Sequence, residues 1–170
     1  MLEILKYTIP SLVVFLTVFY IIHTYFEDLE KKRKYESALK NRKLITPIRL
    51  QAYERVILFL ERISPESLIM RLSETGMTGK DLQSGMLTTI RAEFEHNLSQ
   101  QLYVSNEAWE MVKSARANTM KIINLAADKI PGHVPYTHLS TLILETIMEA
   151  EKTPSSIAID FMKKEVQKLF

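Results

Sequence analysis

The sequence contains no cysteine. This absence excludes disulfide bonds, thiolate zinc sites, iron–sulfur clusters and cysteine nucleophiles, and it agrees with a domain in a reducing compartment. Sustained polar–apolar alternation, internal repeats and Asn-Gly hairpin turns are also missing. Because the alternation and the hairpin turns that mark β-structure are absent, the helical spacing of apolar residues described below predicts an all-α protein.

A strong overall charge is missing as well. The formal net charge is +2, and the positive excess lies between Glu27 and Ile48, where seven basic residues stand against four acidic ones. Because Met1–Phe26 is neutral, Arg49–Phe170 carries a net charge of −1. A near-neutral domain lacks the positive surface of a nucleic-acid-binding protein, so no nucleic-acid partner is predicted.

Charged residues are absent from the twenty residues between Tyr7 and Phe26. A helix of that length extends about 30 Å, which matches the hydrocarbon thickness of a bilayer. We therefore predict an N-terminal transmembrane helix. A cleaved signal peptide is the alternative, but its apolar region usually has about 7–15 residues and is followed by a small-residue cleavage site. Here the sequence that follows is HTYFEDLEKK.

Basic residues set the predicted orientation of this span. Before the span, Lys6 is offset by Glu3, whereas seven basic residues follow the span in the segment 27–48. Since basic residues near a span stay on the cytoplasmic side, we expect the N-terminus outside and residues 49–170 in the cytoplasm. His23 lies within about one turn of the cytoplasmic end of the span and is interpreted as structural.

The segment 27–48 is predicted to form a basic helical stalk that breaks near Thr46-Pro47, because a residue before proline disfavours the helical conformation. Four consecutive basic residues of the stalk are candidates for contact with anionic lipid headgroups: Lys31, Lys32, Arg33 and Lys34. Setting the membrane topology is an equally valid explanation for them.

After the membrane anchor (residues 1–26) and the stalk, residues 49–170 are predicted to form a cytoplasmic bundle of about five helices. Helix starts are marked by capping residues, some with a first-turn proline or acid. These signals are Ser64-Pro65-Glu66, Thr78 with Asp81, Ser105-Asn106-Glu107 and Thr153-Pro154.

Apolar residues at helical spacing define the predicted buried faces. In the run that begins at Arg49 they are Leu50, Tyr53, Ile57, Leu60 and Ile63. The helix after Thr78 presents Leu82, Met86, Leu87, Ile90, Phe94 and Leu98. The helix after Ser105 presents Trp109, Val112, Met120, Ile123, Ala127 and Ile130, and the last helix presents Ile157, Phe161, Val166 and Leu169.

Glu93 and His96 are three residues apart, as are the Glu and His ligands of di-iron helical bundles. Such a site needs two Glu-x-x-His pairs and two further glutamates, and this chain has one pair. We expect the two side chains to flank the Phe94 stripe on opposite sides. They are weak candidates for metal ligands, and no metal, cofactor or catalytic residue is predicted.

Two other motifs are interpreted as structural. The glycine spacing of Gly76-Met-Thr-Gly79-Lys80 is too short for a phosphate-binding loop, and Asp81 follows the lysine, so helix capping explains the motif better. His133 and His138 are five residues apart beside a proline-rich turn, which is a poor spacing for a shared helical face.

Four aromatic residues are candidates for a protein interface, although their spacing suits a hydrophobic core by default: Tyr53, Phe59, Tyr103 and Trp109. Apolar runs such as VILFL and LIM make the helix faces broad. We therefore expect part of this surface to bind a protein partner or a second copy of the chain.

The stretches RLQAYERVILFLERISPESLIMRL (Arg49–Leu72) and EFEHNLSQQLYVSNEAWEMVKSA (Glu93–Ala115) resemble a family of uncharacterised single-span membrane proteins associated with Bacteroidota. The resemblance covers the span, the stalk and the domain up to about Ile130. It implies a bacterial cytoplasmic membrane and a helical domain, and it implies no activity.

The leading hypothesis is a non-enzymatic, membrane-tethered helical scaffold or accessory subunit of a membrane-associated complex. One alternative is a membrane-bound metalloprotein or hydrolase that uses Glu93 and His96. The other is a module that binds anionic lipid through Lys31–Lys34.

Overall fold

The computed structural model describes the backbone of residues 2–168 and the side chains of residues 12–168. Its α-helices are α1 (Leu2–Arg62), α2 (Pro65–Leu72), α3 (Gly79–Asn97), α4 (Asn106–Ala127), α5 (Tyr136–Met148) and α6 (Pro154–Gln167). A 3-10 helix, Leu98–Leu102, follows α3 directly. Helix makes up 84% of the chain and the described residues contain no strand, so the all-α prediction is confirmed.

Helix α1 continues through Pro47, so the predicted break near Thr46-Pro47 is wrong. Proline lacks the N–H group that would bond to the carbonyl one turn earlier. Pro47 and the turn before it are largely exposed, so water can hydrogen-bond the freed carbonyl. The chain divides into two compact units next to this proline, Met1–Ile45 and Thr46–Phe170. The sequence-based limits of anchor and stalk stay predictions.

In the first unit, α1 carries a run of exposed apolar side chains between Leu12 and Phe26. The hydroxyls of Thr17 and Thr24 donate to the helix carbonyls of Val13 and Tyr20 at 2.7 and 2.5 Å. These polar groups are therefore satisfied within the helix. By length and composition, α1 is able to cross a membrane.

In the second unit, α4 packs against α3, α5 and α6, and α3 also packs against α2 and α5. The C-terminal part of α1 contributes to the same core. Phe94 connects α1, α3 and α4, because its ring centroid lies 6.0 Å from that of Phe59 and 5.5 Å from that of Trp109. At such separations aromatic rings attract each other.

The capping residues predicted from the sequence all cap their helices. The side-chain oxygens of Ser64, Thr78, Ser105 and Thr153 accept bonds from the backbone N–H three residues later, at 3.3, 3.2, 3.0 and 3.1 Å. At Thr78 the bond is reciprocated, because the Asp81 carboxylate accepts from the Thr78 N–H at 3.1 Å. Each cap of this kind contributes about 1 kcal/mol to helix stability.

The predicted buried faces are only partly correct. Leu50, Leu98 and Ile157 were expected in the core, but they are 41%, 43% and 45% exposed. Leu98 begins the 3-10 helix, whose tighter turn moves its side chain off the α3 stripe. Ile130 lies beyond the end of α4, and Leu169 lies outside the described residues.

The predicted face of α6 is partly correct, because Phe161 and Val166 are partly buried against the core whereas Ile157 is exposed. The buried residues of α6 are Ser155, Ala158, Ile159 and Met162. Helix α4, against which α6 packs, buries the small residues Ala115 and Thr119 among its core positions. The buried side of α6 thus combines the small residues Ser155 and Ala158 with the larger Ile159 and Met162.

The loop before α3 pairs with the loop before α5. Gly79 N–H donates to the Val134 carbonyl at 2.8 Å, and Tyr136 N–H donates to the Met77 carbonyl at 3.1 Å. A Cβ atom on Gly79 would lie 3.3 Å from Ile130 Cδ1. Glycine at this position thus allows the two loops to approach each other.

Replacement of Gly76 by alanine should destabilise the second unit. Gly76 has a φ of 87°, and this left-handed conformation costs an L-residue about 1 kcal/mol or more. Gly85 is the matched control, because it lies inside α3 and a Cβ there meets only Leu72 Cδ1, at 4.0 Å. Alanine at Gly85 should raise the free energy of unfolding by about 0.5–1 kcal/mol. Thermal unfolding of the full-length protein in mild detergent measures both changes, and shifts in the same direction would contradict this explanation.

The contribution of the Thr78–Asp81 cap to the stability of the protein should be lost at acidic pH. Hydrogen bonds from the Thr78 side chain and backbone hold the pKa of Asp81 below its ordinary value of 3.8. A lowered folded-state pKa stabilises the protein above pH 3.8, and this contribution is lost as the pH falls through the folded-state value. We expect Asp81→Asn to lower the unfolding temperature at neutral pH and to have a smaller effect at low pH. Asp128→Asn, at an exposed acid after α4, is the control. Its effect on the unfolding temperature should be the same at neutral pH and at low pH.

Candidate functional site

Glu93 and His96 lie on α3 beside the C-terminal end of α1. Arg62 donates to Glu93 Oε1 through Nε at 2.8 Å, and its Nη2 lies 2.6 Å from the same oxygen. Arg71 of α2 approaches this oxygen to 3.8 Å. His96 Nε2 lies 3.4 Å from Arg55 Nη2. Two arginines therefore surround the carboxylate, and their charges oppose the binding of a metal cation by Glu93.

Glu93 and His96 line the same shallow depression, together with Arg62. The expectation that they flank the Phe94 stripe on opposite sides is wrong, because three residues at about 100° each leave two side chains only about 60° apart. No group of three or more potential metal-ligating side chains occurs among residues 12–168. The arrangement instead joins α1, α2 and α3, since Arg71 Nη2 also donates to the Arg62 carbonyl at 2.7 Å.

The backbone N–H groups of Thr78, Gly79 and Lys80 in the Gly76–Lys80 motif are already bonded. Gly79 and Lys80 donate to carbonyls of the loop before α5, at 2.8 and 3.2 Å. Thr78 N–H donates to the Asp81 carboxylate at 3.1 Å. A phosphate group would have to displace these acceptors, so the geometry supports the interpretation of the motif as a helix cap.

The basic residues Lys31, Lys32, Arg33 and Lys34 are exposed along α1. Lys31 Nζ lies 3.9 Å from Asp28 Oδ1, and His23 Nδ1 lies 3.6 Å from Glu27 Oε1. Exposed pairs of this kind contribute little to stability. Contact of the basic residues with lipid headgroups stays a prediction.

The four aromatic candidates for an interface divide into two groups. Tyr53 and Phe59 are each 1% exposed and Trp109 is 8% exposed, so all three are core residues and are not accessible to a partner. Tyr103 is 41% exposed. Its carbonyl accepts a bond from Arg49 Nε at 3.1 Å.

Tyr53 forms a polar contact inside this core. Its hydroxyl oxygen accepts a bond from the Ser105 N–H at 3.3 Å. Burial raises the pKa of Tyr53 above its ordinary value of 10.0, the Ser105 bond opposes the rise, and the nearby Glu165 carboxylate adds to it. The neutral hydroxyl therefore links α1 to the start of α4 across the physiological pH range.

Two surface grooves were missed by the sequence reasoning. The first, between α1 and α6, has a volume of about 520 Å³ and is lined mainly by Leu50, Ile57, Leu58, Lys163 and Val166. The second runs along α4, also has a volume of about 520 Å³, and is lined by Lys113, Arg116, Ala117, Met120, Lys121, Asn124 and Leu125. Apolar residues outside the buried stripes, such as Leu58 and Leu125, were the sequence signal for them. Both grooves are open hydrophobic surfaces with charged borders.

A family model described as a family of unknown function (DUF7935) matches residues 1–169 of the chain. No match is found among the curated proteins or among the solved structures. The resemblance to an uncharacterised family is thus confirmed, and it extends beyond Ile130 to nearly the whole chain.

Replacement of Glu93 by glutamine should lower the unfolding temperature of the second unit without changing the metal content of the protein. The variant keeps the shape of the side chain but loses the charge that holds Arg62 and Arg71, a partly exposed contact that contributes about 1 kcal/mol or less. Glu95→Gln, at an exposed neighbour on α3, is the matched control and should unfold like the parent. Thermal unfolding and elemental analysis test both variants. A stoichiometric metal that is lost from Glu93→Gln and kept in Glu95→Gln would establish the metal site instead.

Proposed function

We propose, for a chain that belongs to the DUF7935 family of unknown function, the role of a non-enzymatic helical scaffold or accessory subunit anchored in a bacterial cytoplasmic membrane. In this proposal, α1 spans the bilayer, the N-terminus faces out and the helical domain lies in the cytoplasm. The domain binds a protein component of a membrane-associated complex.

The observation that carries the proposal is the exposed apolar surface of α1. Between Leu12 and Phe26, large apolar side chains are 48% to 71% exposed. Burial of each such side chain is favourable by about 1.5–3 kcal/mol, so a run of them is not stable in water. A bilayer covers this surface on every side of the helix. The basic residues that follow, Lys31 to Lys34, support the inward orientation and would add attraction to anionic headgroups.

A binding role for the helical domain is supported by its surface. Large apolar side chains stay exposed on several helices, including Leu58 at 54%, Met70 at 85% and Leu125 at 52%. Leu58 and Leu125 border open grooves, and exposed apolar residues in such places are typical of protein interaction sites. By contrast, the ion pairs of Glu93 with two arginines disfavour the metalloprotein alternative.

Charges placed in the apolar run should release the protein from the membrane. Each aspartate at the centre of a span costs about 2.5–3.5 kcal/mol, so the pair Phe15→Asp and Phe19→Asp opposes insertion strongly. The control pair Tyr35→Asp and Leu39→Asp changes two large, exposed side chains of α1 beyond the predicted span. Carbonate extraction of membranes should leave the parent and the control in the pellet and the first pair in the supernatant. A parent protein that is itself extracted would contradict anchoring.

The binding role is tested by purification of the full-length protein from its native membranes in mild detergent, followed by mass spectrometry after a salt wash. We expect a reproducible stoichiometric component. A protein that is recovered alone as a monomer would contradict the scaffold proposal.

A further inference from the structure

We propose that the occupant of the α4 groove is a second copy of this chain, whose acidic α5 tip binds there in a head-to-tail contact. The α4 groove is the surface lined by Lys113, Arg116, Met120, Lys121 and Leu125. The α5 tip consists of Glu145, Met148, Glu149 and Glu151 at and just after the end of α5. The inference rests on the proposed scaffold role and names its partner.

The α4 groove combines positive charge with exposed apolar surface. Arg116 is held in place, because its guanidinium carbon lies 4.1 Å from the centroid of the Phe94 ring. Lys113 pairs with Glu110 at 2.6 Å, so its charge is partly balanced within the chain. Lys121 is exposed, and Leu125, which is 52% exposed, provides an apolar contact at the other end of the groove.

The α5 tip has the opposite charge and its own apolar contact. Met148 is 84% exposed, which is unusual for a large apolar side chain, and the exposed Glu145 and Glu149 lie one turn and one residue away from it. Lys152, the basic residue that follows, pairs with Asp160 at 2.6 Å. The charge of Lys152 therefore does not neutralise the acidic tip.

These two surfaces match each other in charge and in apolar content. Opposite charges steer two surfaces together and fix their register, while a flexible methionine adapts to an apolar groove. Within one copy, Leu125 and Met148 are both exposed, so the tip does not cover the groove of its own chain. A second copy supplies the missing partner for both surfaces at once.

The geometry of such a contact limits the assembly that results. The groove and the tip are different surfaces, so each copy can bind one neighbour on each side. A repeated contact of this kind closes into a ring or continues as an open chain. Copies anchored in one membrane share the same orientation, so their assembly extends within the plane of the bilayer.

Site-specific disulfide formation tests the contact, because the chain has no cysteine of its own. Full-length Leu125→Cys and Met148→Cys, carrying tags of different size, are co-expressed, and their membranes are treated with a mild oxidant. The matched control pairs Met148→Cys with Leu58→Cys, because Leu58 is 54% exposed and lines the α1/α6 groove instead. We expect the 125–148 product to exceed the 58–148 product about tenfold, which corresponds to about 1.4 kcal/mol.

Charge reversal supplies a second readout. Lys121→Glu in the Leu125→Cys chain should lower the 125–148 product about tenfold, since like charges then face each other. When the Lys121→Glu chain is paired with a Met148→Cys chain that also carries Glu149→Lys, the amount of the 125–148 product should be restored. The proposal is overturned if the 125–148 product equals the 58–148 control, if 125–125 pairs dominate, or if charge reversal changes nothing. If one of these results is obtained but a different protein is recovered in stoichiometric amount in the purification described above, the self-association proposal fails and the scaffold role is still supported.

Discussion

The contacts of Phe94 hold the helical domain together, because this one ring meets three other groups. It packs against Phe59 from α1 and Trp109 from α4, and the Arg116 guanidinium lies over the ring. The ring therefore joins three helices. It also fixes Arg116 at the border of the α4 groove, so that the core and a surface groove share one side chain.

Local interactions in this fold were predictable, whereas the choice of helix face often was not. The caps at Ser64, Thr78, Ser105 and Thr153 depend on residues three positions apart, and the sequence displays them directly. By contrast, α6 has apolar residues on two sides. Its orientation depends on packing against α4, which is distant in sequence, and one helix taken alone does not contain that information.

The candidate sites show the same division between local and distant determinants. The spacing of Glu93 and His96 was visible in the sequence, but Arg62 and Arg71, which neutralise the carboxylate, come from other helices. The groove between α1 and α6 likewise depends on how two helices meet, as with Leu58 of α1 and Val166 of α6. Pro47 differs, because solvent exposure rather than packing permits the helix to continue through it.

The pairing of the loops before α3 and α5 has a dynamic consequence. Loops between helices usually open more easily than the helices that they connect. Here the Gly79–Val134 and Tyr136–Met77 hydrogen bonds tie two loops that are more than fifty residues apart in the sequence. Neither loop can fray without breaking bonds of the other, so the N-terminal turns of α3 and α5 form a single cooperative unit of local unfolding.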